Sequence, residues 1–542
     1  MIRTRSGSAA RRALTGAGCG LLAAAAALGV AQLVAGLTGP LGSPVVAVGE
    51  VAINLTPVPV KDFVIARVGS HDKQVLIAGI LLVLAAFAIA IGMLAVRRAG
   101  DGLAGLAVFG ILGAAAAITR PNARALDIMP TLAGIAVAAV ALLGLTRAAA
   151  DRPRRGLAPG GSRQLAGPPP RRQPFRGLEP APLSSTRRPD RRRFLALAAG
   201  TAAVAAAGAL AGQALLGRFS VDRLRAAIRL PAPVRRAPAV PAGTQLDVPG
   251  ITPFFTSNDS FYRVDTELVV PQIPPDQWTL RVHGMVDRPV ELTLADLLRR
   301  PLTEADITLA CVSNQVGGPL AGNARWLGAS LAALLREAGV RAGADQILST
   351  SSDGWTAGTP TEVVMNDPNA LLAVGMNGQP LPVVHGFPAR MIVPGLFGYV
   401  SATKWVTDLE LTTFAASRSY WVQRGYSAQA PIKTMSRIDV PRPFQQVRTG
   451  RTAVAGVAWA PHRGIHAVQV RADNGPWHQA CLAAADGVDT WRQWVWHWDA
   501  TPGLHQLQVR ATDGTGATQS ARRTGVFPDG ATGWDSAAVT VT

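Results

Sequence analysis

Up to about Gly217 the apolar residues fall in long uninterrupted runs, and after about Pro249 in short alternating ones. Five runs stand out: Ala13 to Gly36, Val75 to Val96, Leu103 to Thr119, Ile128 to Thr146 and Phe194 to Leu216. A helix of roughly 20 apolar residues crosses a bilayer, so each is read as a span, with Leu103 to Thr119 the shortest and Ile128 to Thr146 interrupted by Pro130. The first run also fits a cleaved signal peptide, but the later runs favour a retained helix. Leu41 to Lys73 reads as a more polar connection. In the second regime, Trp278 to Gly284 alternates as a strand, Leu292 to Arg299 reads as a short helix, and Ala329 to Ala338 as a helix stopped by Gly339. From Thr452 the segments TAVAGVAWA, HAVQVRA, WRQWVWHWD and HQLQVRATD alternate at short intervals between Gly, Pro, Asn and Asp, the pattern of a small β-sandwich. Trp491, Trp494, Trp496 and Trp498 are read as packing residues of that sandwich.

Charge refines this picture. The chain of 542 residues carries a formal net charge of +19. Between Arg147 and Arg193 there are 13 Arg against 3 acids, a net of +10 in a Pro/Gly-rich stretch without apolar periodicity. Such a stretch is a linker and no folded nucleic-acid reader, so no nucleic-acid partner is expected. The positive-inside rule places it, the N-terminus and Arg97/Arg98 in the cytoplasm, and leaves Arg120 and Arg124 outside. Asp190-Arg191-Arg192-Arg193-Phe194-Leu195, ahead of the fifth run, is similar to a twin-arginine export signal; the alternative is one more cytoplasmic flank. Both readings send the chain after Gly217 to the extracytoplasmic side of a cell membrane crossed several times.

Three cysteines exclude a disulfide framework and an iron–sulfur cluster. No His lies in an apolar run and no Cys-x-x-Cys-His occurs, so no haem is expected either. The candidate chemistry concentrates in TLACVSNQVGGPLAGNARWLG, Thr308 to Gly328. There Cys311 ends a strand-like Leu309-Ala310 and precedes a Gly-rich stretch with Asn314 and Arg325. A thiol in that setting binds a thiophilic metal, attacks as a nucleophile, or packs as a small buried hydrophobe.

The second half of the chain resembles the sulfite oxidase family of molybdopterin enzymes. Thr308, Leu309, Cys311 and Asn314 match the family's Thr-Leu-x-Cys-x-x-Asn, and Ala324-Arg325-Trp326-Leu327-Gly328 its Ala-Arg-Trp-x-Gly. Met376 to Trp405 is similar to the pterin-binding segment, Phe261-Tyr262-Arg263 to the segment of the substrate-side arginine, and Trp421 to Tyr426 to that of the active-site tyrosine. Gly456 to Trp477 resembles the immunoglobulin-like domain that follows. The resemblance implies a molybdenum-molybdopterin cofactor with Cys311 as the protein's metal ligand. It implies catalytic roles for Arg263, Tyr426 and Arg325, and cofactor contacts from Asn314, Arg325, His385, Arg390, Ser401 and Lys404. Two departures touch the pocket: Arg263 is followed by Val264 and Asp265, and Cys311 by Val-Ser-Asn-Gln. A carboxylate at Asp265 facing the metal would repel sulfite.

The expected fold class is an α-helical membrane region of about five spans, an α+β molybdopterin domain of the sulfite oxidase type, and an immunoglobulin-like β-sandwich. The expected divisions are 1–147 (four spans), 148–193 (basic cytoplasmic linker), 194–217 (fifth span), 218–248 (linker), 249–430 (molybdopterin domain) and 431–542 (immunoglobulin-like domain of the dimerisation type). The expected activity is oxygen-atom transfer on a small oxyanion such as sulfite, with a cytochrome or quinone as electron partner and a homodimer as the assembly. Reduction of S- or N-oxides, and a non-catalytic binding module that kept the fold, are the alternatives.

Overall fold

The computed structural model describes residues 3–57, 60, 72–120, 123–150 and 190–542. The basic stretch from 151 to 189, most of the expected cytoplasmic linker, lies outside the described residues. Two compact units emerge: Met1–Val51 with Gln74–Arg218, and Ala52–Lys73 with Phe219–Thr542.

In the first unit and its flanks, five helices among the described residues are long and apolar enough to cross a membrane. They are Ala10–Thr38, Lys73–Arg97, Ala99–Ile118, Ala125–Ala149 and Arg192–Ala227, one for each apolar run of the sequence. Leu41 to Lys73 is less uniformly polar than its sequence suggests. It begins with an apolar helix, Pro44–Leu55, whose 12 residues are too few to span. Small residues let the first and last of the long helices approach. A Cβ on Gly208 would lie 2.7 Å from the Gly29 carbonyl oxygen, and one on Gly212 2.5 Å from that of Gln32. Gly208-x-x-x-Gly212 therefore sits where two backbones meet, as small residues four apart do in membrane helices. Arg120 donates to Glu50 at 3.1 Å, so one of the two charges that positive-inside counting leaves outside is paired within the unit.

The described residues of the second unit form four sheets. The first has the order Val290–Thr293, Thr279–Gly284, Val406–Thr412, Gln346–Ser351, Thr356–Pro360, with Thr279–Gly284 parallel to Val406–Thr412. Leu280 and Val282 alternate inward, as period-2 patterning requires. Helix Leu331–Ala338 covers the core with Leu331, Leu334 and Leu335. Ser330 caps its start by accepting from the Ala333 N–H, and Gly339 ends it at φ 70°, a left-handed position that glycine fills without a Cβ penalty. The helix starts two residues later than its sequence pattern because Ala329 and Ser330 still pair with Leu372 and Leu371. The helix expected from Leu292 narrows to Leu294–Leu298 for the same reason, since Leu292 pairs with Leu280.

The second sheet carries the candidate chemistry, in the order Leu302–Ala310, Ala321–Ser330, Leu371–Met376, Gln379–Pro380, with Arg390–Ile392 also paired to Leu371–Met376. The last two sheets face each other. One runs Met435–Val440, Gly450–Trp459, Arg492–Ala500, Cys481–Leu482, and the other Gln446–Val447, Asp535–Val541, Gly503–Asp513, Ile465–Ala472, His478–Gln479. Val454, Val468, Trp494, Trp498, Leu507 and Val539 fill the layer between them. Trp491 leaves this cluster: its Nε1 donates to Phe254 O at 2.8 Å and its ring joins the preceding core.

Residues 218–248 are an ordered strap where the sequence suggests a linker. Val234 N donates to Leu302 O (2.8 Å), Arg235 to Pro368 O (2.7 Å), and Leu246 N to the Gln493 side chain (2.6 Å). Backbone donors held this way fix the path of a segment whose composition has no periodicity to reveal it.

Candidate active site

Cys311 directly follows the strand Leu302–Ala310, and its N–H still pairs with Leu320 O at 2.9 Å. Alternation puts Ile307 and Leu309 on one face, in a cluster with Phe261, Trp326 and Phe387. The turn after Cys311 is held from inside. Asn314 N donates to Cys311 O (3.1 Å), the Asn314 carbonyl oxygen Oδ1 accepts from Leu320 N (2.8 Å), and Ser313 N approaches Sγ at 3.4 Å. Burial pushes the thiol up from its ordinary pKa, and the Ser313 donor and nearby Lys404 pull it back.

Around the thiol lies a buried group of cations. Arg390, at the start of Arg390–Ile392, donates to His385 O (3.0 Å) and Ala402 O (3.2 Å) and sits 5.2 Å from the Trp326 ring centroid. Its Nε is buried with no hydrogen-bond partner among the described residues, and burial lowers it to about 10. Lys404 donates to Asp265 (2.8 Å) and Val384 O (3.3 Å). Burial brings it down to about 8 against the pull of Asp265. His385 Nε2 donates to Asn258 O at 2.9 Å, and burial with the Arg390 charge lowers its pKa to about 4. Arg263 donates to Asp265 at 2.9 Å and is the most exposed of the group.

Asp265 is ion-paired rather than left as a lone charge. Burial alone would raise its pKa, but Lys404, Lys73 and Arg263 hold it well below the ordinary carboxylate range. Its side chain is only 4% exposed and is ion-paired to all three cations. A charge so compensated organises its cations and presents no repulsive face to an anion.

Asn314 shares the turn of Cys311, Lys404 lies near the thiol, and Arg263, His385 and Arg390 interact with Lys404, while Arg325, Ser401 and Tyr426 make their contacts with other residues. Arg325 alternates to the other face of its strand from Trp326. There it forms a bidentate pair with Asp306 at 2.8 and 2.7 Å, its cross-strand neighbour, and lies 5.6 Å from the Phe255 ring. Asn314 and Ser401 are spent on local turns, Ser401 donating to Leu396 O and Phe397 O at 3.0 Å. Tyr426 packs among Tyr399, Trp421 and Phe527 with ring centroids 5.2 to 5.7 Å apart.

Two residues escaped the sequence reading. Tyr262 is half-buried, with its hydroxyl beside the Cys311 thiol and Arg390, and desolvation reinforced by the thiol raises that hydroxyl far above the ordinary value. Its only sequence signal is its place between Phe261 and Arg263. Asp353, in a Ser-Asp-Gly turn, accepts from Trp355 N at 2.8 Å and has a raised pKa, from burial and the negative charge of Asp265.

His385 makes one pH effect calculable in sign. Between about 4 and its ordinary 6.5 the unfolded chain binds the proton and the folded chain does not. Stability is therefore fully present above 6.5 and falls as the pH drops toward 4. Melting curves over this window should show the loss, and His385→Gln, which keeps a donor for Asn258 O, should flatten it.

The family described as "Oxidoreductase molybdopterin binding domain" matches residues 267–421. Sulfite oxidase of Gallus gallus is 29% identical over 292 residues, covering 46% of this chain and 63% of that protein. An uncharacterized oxidoreductase of Bacillus subtilis, YuiH, is 31% identical over 150 residues, covering 28% of this chain and 72% of that one. Among solved structures, the sulfane dehydrogenase SoxCD of Paracoccus pantotrophus aligns with a TM-score of 0.48 at 23% identity, over 54% of this chain and 82% of that one. The matched part of this chain is an oxidoreductase domain that binds molybdopterin. The chain belongs to the sulfite oxidase family, and it spans 63% of the chicken enzyme and 52% of the Drosophila and human ones.

The residues fit a molybdenum-pterin. A thiolate is a soft donor of the kind molybdenum takes, and Cys311 is the sulfur the site offers. The unpartnered Arg390 Nε and the buried Lys404 ammonium are donors suited to an anionic group.

Proposed function

We propose that this chain is a membrane-anchored, extracytoplasmic oxidoreductase that transfers an oxygen atom on a small oxyanion, with sulfite the first substrate to test. The observation that carries this reading is the set of cations beside Cys311, with Arg390 and Lys404 buried and Arg263 exposed, and with Asp265 as the carboxylate paired to Lys404 and Arg263. The molybdenum-pterin supplies two-electron oxygen-atom transfer when bound. Cys311 is its protein ligand, and Arg390, His385 and Lys404 hold the pterin side. Arg263, the most exposed cation, binds and orients the substrate oxygens through its planar fork. Tyr262 presents beside the thiol a hydroxyl that stays protonated throughout the working range and can donate to a substrate oxygen. Tyr426 supports this layer from behind through Tyr399, which adjoins Gly398. A Cβ on Gly398 would lie 3.8 Å from Ala310 O and 3.9 Å from the Tyr262 hydroxyl. The divisions 249–430 and 431–542 are proposed as the molybdopterin domain and an immunoglobulin-like dimerisation domain, and electrons leave to a cytochrome or quinone.

Arg263→Gln tests the substrate assignment. Losing a charge-assisted pair of about 1.5–3 kcal/mol should lower sulfite turnover at low substrate by roughly ten- to a hundredfold, and turnover of a neutral sulfoxide less. Since Asp265 is already neutralised by its cations, Asp265→Asn should not raise sulfite turnover. A rise would restore the repulsion argument, and equal losses on both substrates would remove the oxyanion preference.

Topology is tested separately. A reporter fused after Thr542 should be active only on the outer side, by the positive-inside count. Replacing Arg191 and Arg192 with Lys should trap the C-terminal half inside if export follows the twin-arginine route. Undiminished export of that double variant would count against loading of the cofactor in the cytoplasm.

A further inference from the structure

The loop that carries Cys311 is gripped from outside its own domain. Arg437, in the first strand of the sandwich, is buried and uses its whole guanidinium. Nε donates to Asp439 at 2.7 Å, one Nη to Thr252 Oγ1 at 2.9 Å, and the other to Gly318 O at 2.9 Å. Gly318 belongs to the turn that returns from Cys311 to Leu320, with its N–H donated to Gln315 O at 2.8 Å. The neighbouring Gly317, at φ 76°, lies against a second sandwich residue: a Cβ there would be 2.3 Å from Asp535 Oδ1. Asp535 is fixed in turn by Ile438 N at 2.9 Å. Upstream of the thiol, Thr308 N donates to Asp489 O at 2.9 Å and Thr308 Oγ1 accepts from Trp491 N at 2.7 Å. Both ends of the segment that presents Cys311 are therefore held by the C-terminal sandwich.

We propose that Arg437 is a positioning residue for Cys311: its hydrogen bond to Gly318 O sets the shape of the 311–320 turn, and through it the direction of the thiolate toward the metal. The physical reason lies in the turn itself. Asn314 and Leu320 close it locally, but two adjacent glycines leave its far side free to adopt other conformations, one of them left-handed. A charged donor aimed at the carbonyl between those glycines and Leu320 removes that freedom, and such bonds are stronger than neutral ones. This inference rests on the reading of Cys311 as the metal ligand.

The test uses the full-length, cofactor-loaded protein in detergent, comparing wild type, Arg437→Met and Arg437→Lys at equal molybdenum content. In Arg437→Met, amide exchange of the peptide 311–320 should quicken by roughly tenfold, the effect of losing one such bond in a locally opening turn. The thiolate-to-metal absorption band should shift, while exchange of the sandwich strand Gly503–Asp513 stays as in wild type. Arg437→Lys, which keeps a charged donor for Gly318 O, should restore both. If Arg437→Met does not fold, Thr252→Val, which releases one arm of the guanidinium, should move both readouts in the same direction by less. Unchanged exchange in 311–320 would overturn the proposal, and so would faster exchange with an unmoved band. A wild type that binds no molybdenum would instead defeat the reading of Cys311, and the exchange measurement would still decide whether Arg437 grips the turn.

Discussion

Cys311→Ser should yield a folded protein that lacks the thiolate-to-molybdenum absorption band and has lost more than about a hundredfold of its turnover, a loss that even residues merely supporting a metal ligand reach. The fold should survive because the turn is closed by backbone and Asn314 contacts that a serine leaves intact. Cys311 N to Leu320 O, Asn314 N to Cys311 O and Leu320 N to Asn314 Oδ1 do not involve Sγ. A hydroxyl is a hard, weak donor and cannot replace a soft thiolate on molybdenum. Circular dichroism and melting curves close to wild type, with the band gone, are the expected pair of results. A variant that keeps the band and its turnover would remove Cys311 from the metal.

Lys404→Met should be the most damaging change to stability in the site. It removes the main partner of Asp265, whose side chain is 4% exposed, while that of Lys404 is 11% exposed. Breaking a buried ion pair from one side costs about 3–5 kcal/mol, here toward the lower end because Arg263 and Lys73 still pair with Asp265. The double variant Lys404→Met with Asp265→Asn should recover most of that stability, since no buried carboxylate is then left short of a partner. It should not recover cofactor retention, because the ammonium is still missing. Denaturant unfolding of the four proteins of this cycle gives the coupling directly. Additive losses would mean that the two side chains act independently.

These two residues also mark how far sequence carries. Cys311 is legible because a strand-like run, a thiol and a Gly-rich turn adjoin one another along the chain. The long helices are legible from apolar runs, and Leu331–Ala338 from its capping residues. Lys404 and Asp265 are 139 residues apart, so their bond follows only from the fold. Without it, Asp265 reads as a repulsive charge; with it, the same carboxylate anchors the cations. Arg325 shows the same limit: only the register that places it opposite Asp306 reveals that its guanidinium pairs with that carboxylate. Tyr426 matches a family segment in sequence, but the tyrosine beside the thiol is Tyr262, placed there by Phe261 packing edge-on to Trp326 at 5.7 Å. The strap from 218 to 248 is invisible to periodicity because its hydrogen bonds go to other elements.

Molybdenum analysis of the purified full-length protein tests most directly whether one thiolate, that of Cys311, holds the metal. The protein should be produced in a host that makes the pterin cofactor, with Cys311→Ser prepared in parallel. Stoichiometric molybdenum in wild type, sharply reduced in Cys311→Ser, is the predicted result. Wild-type protein without molybdenum, or equal molybdenum in both, would contradict it.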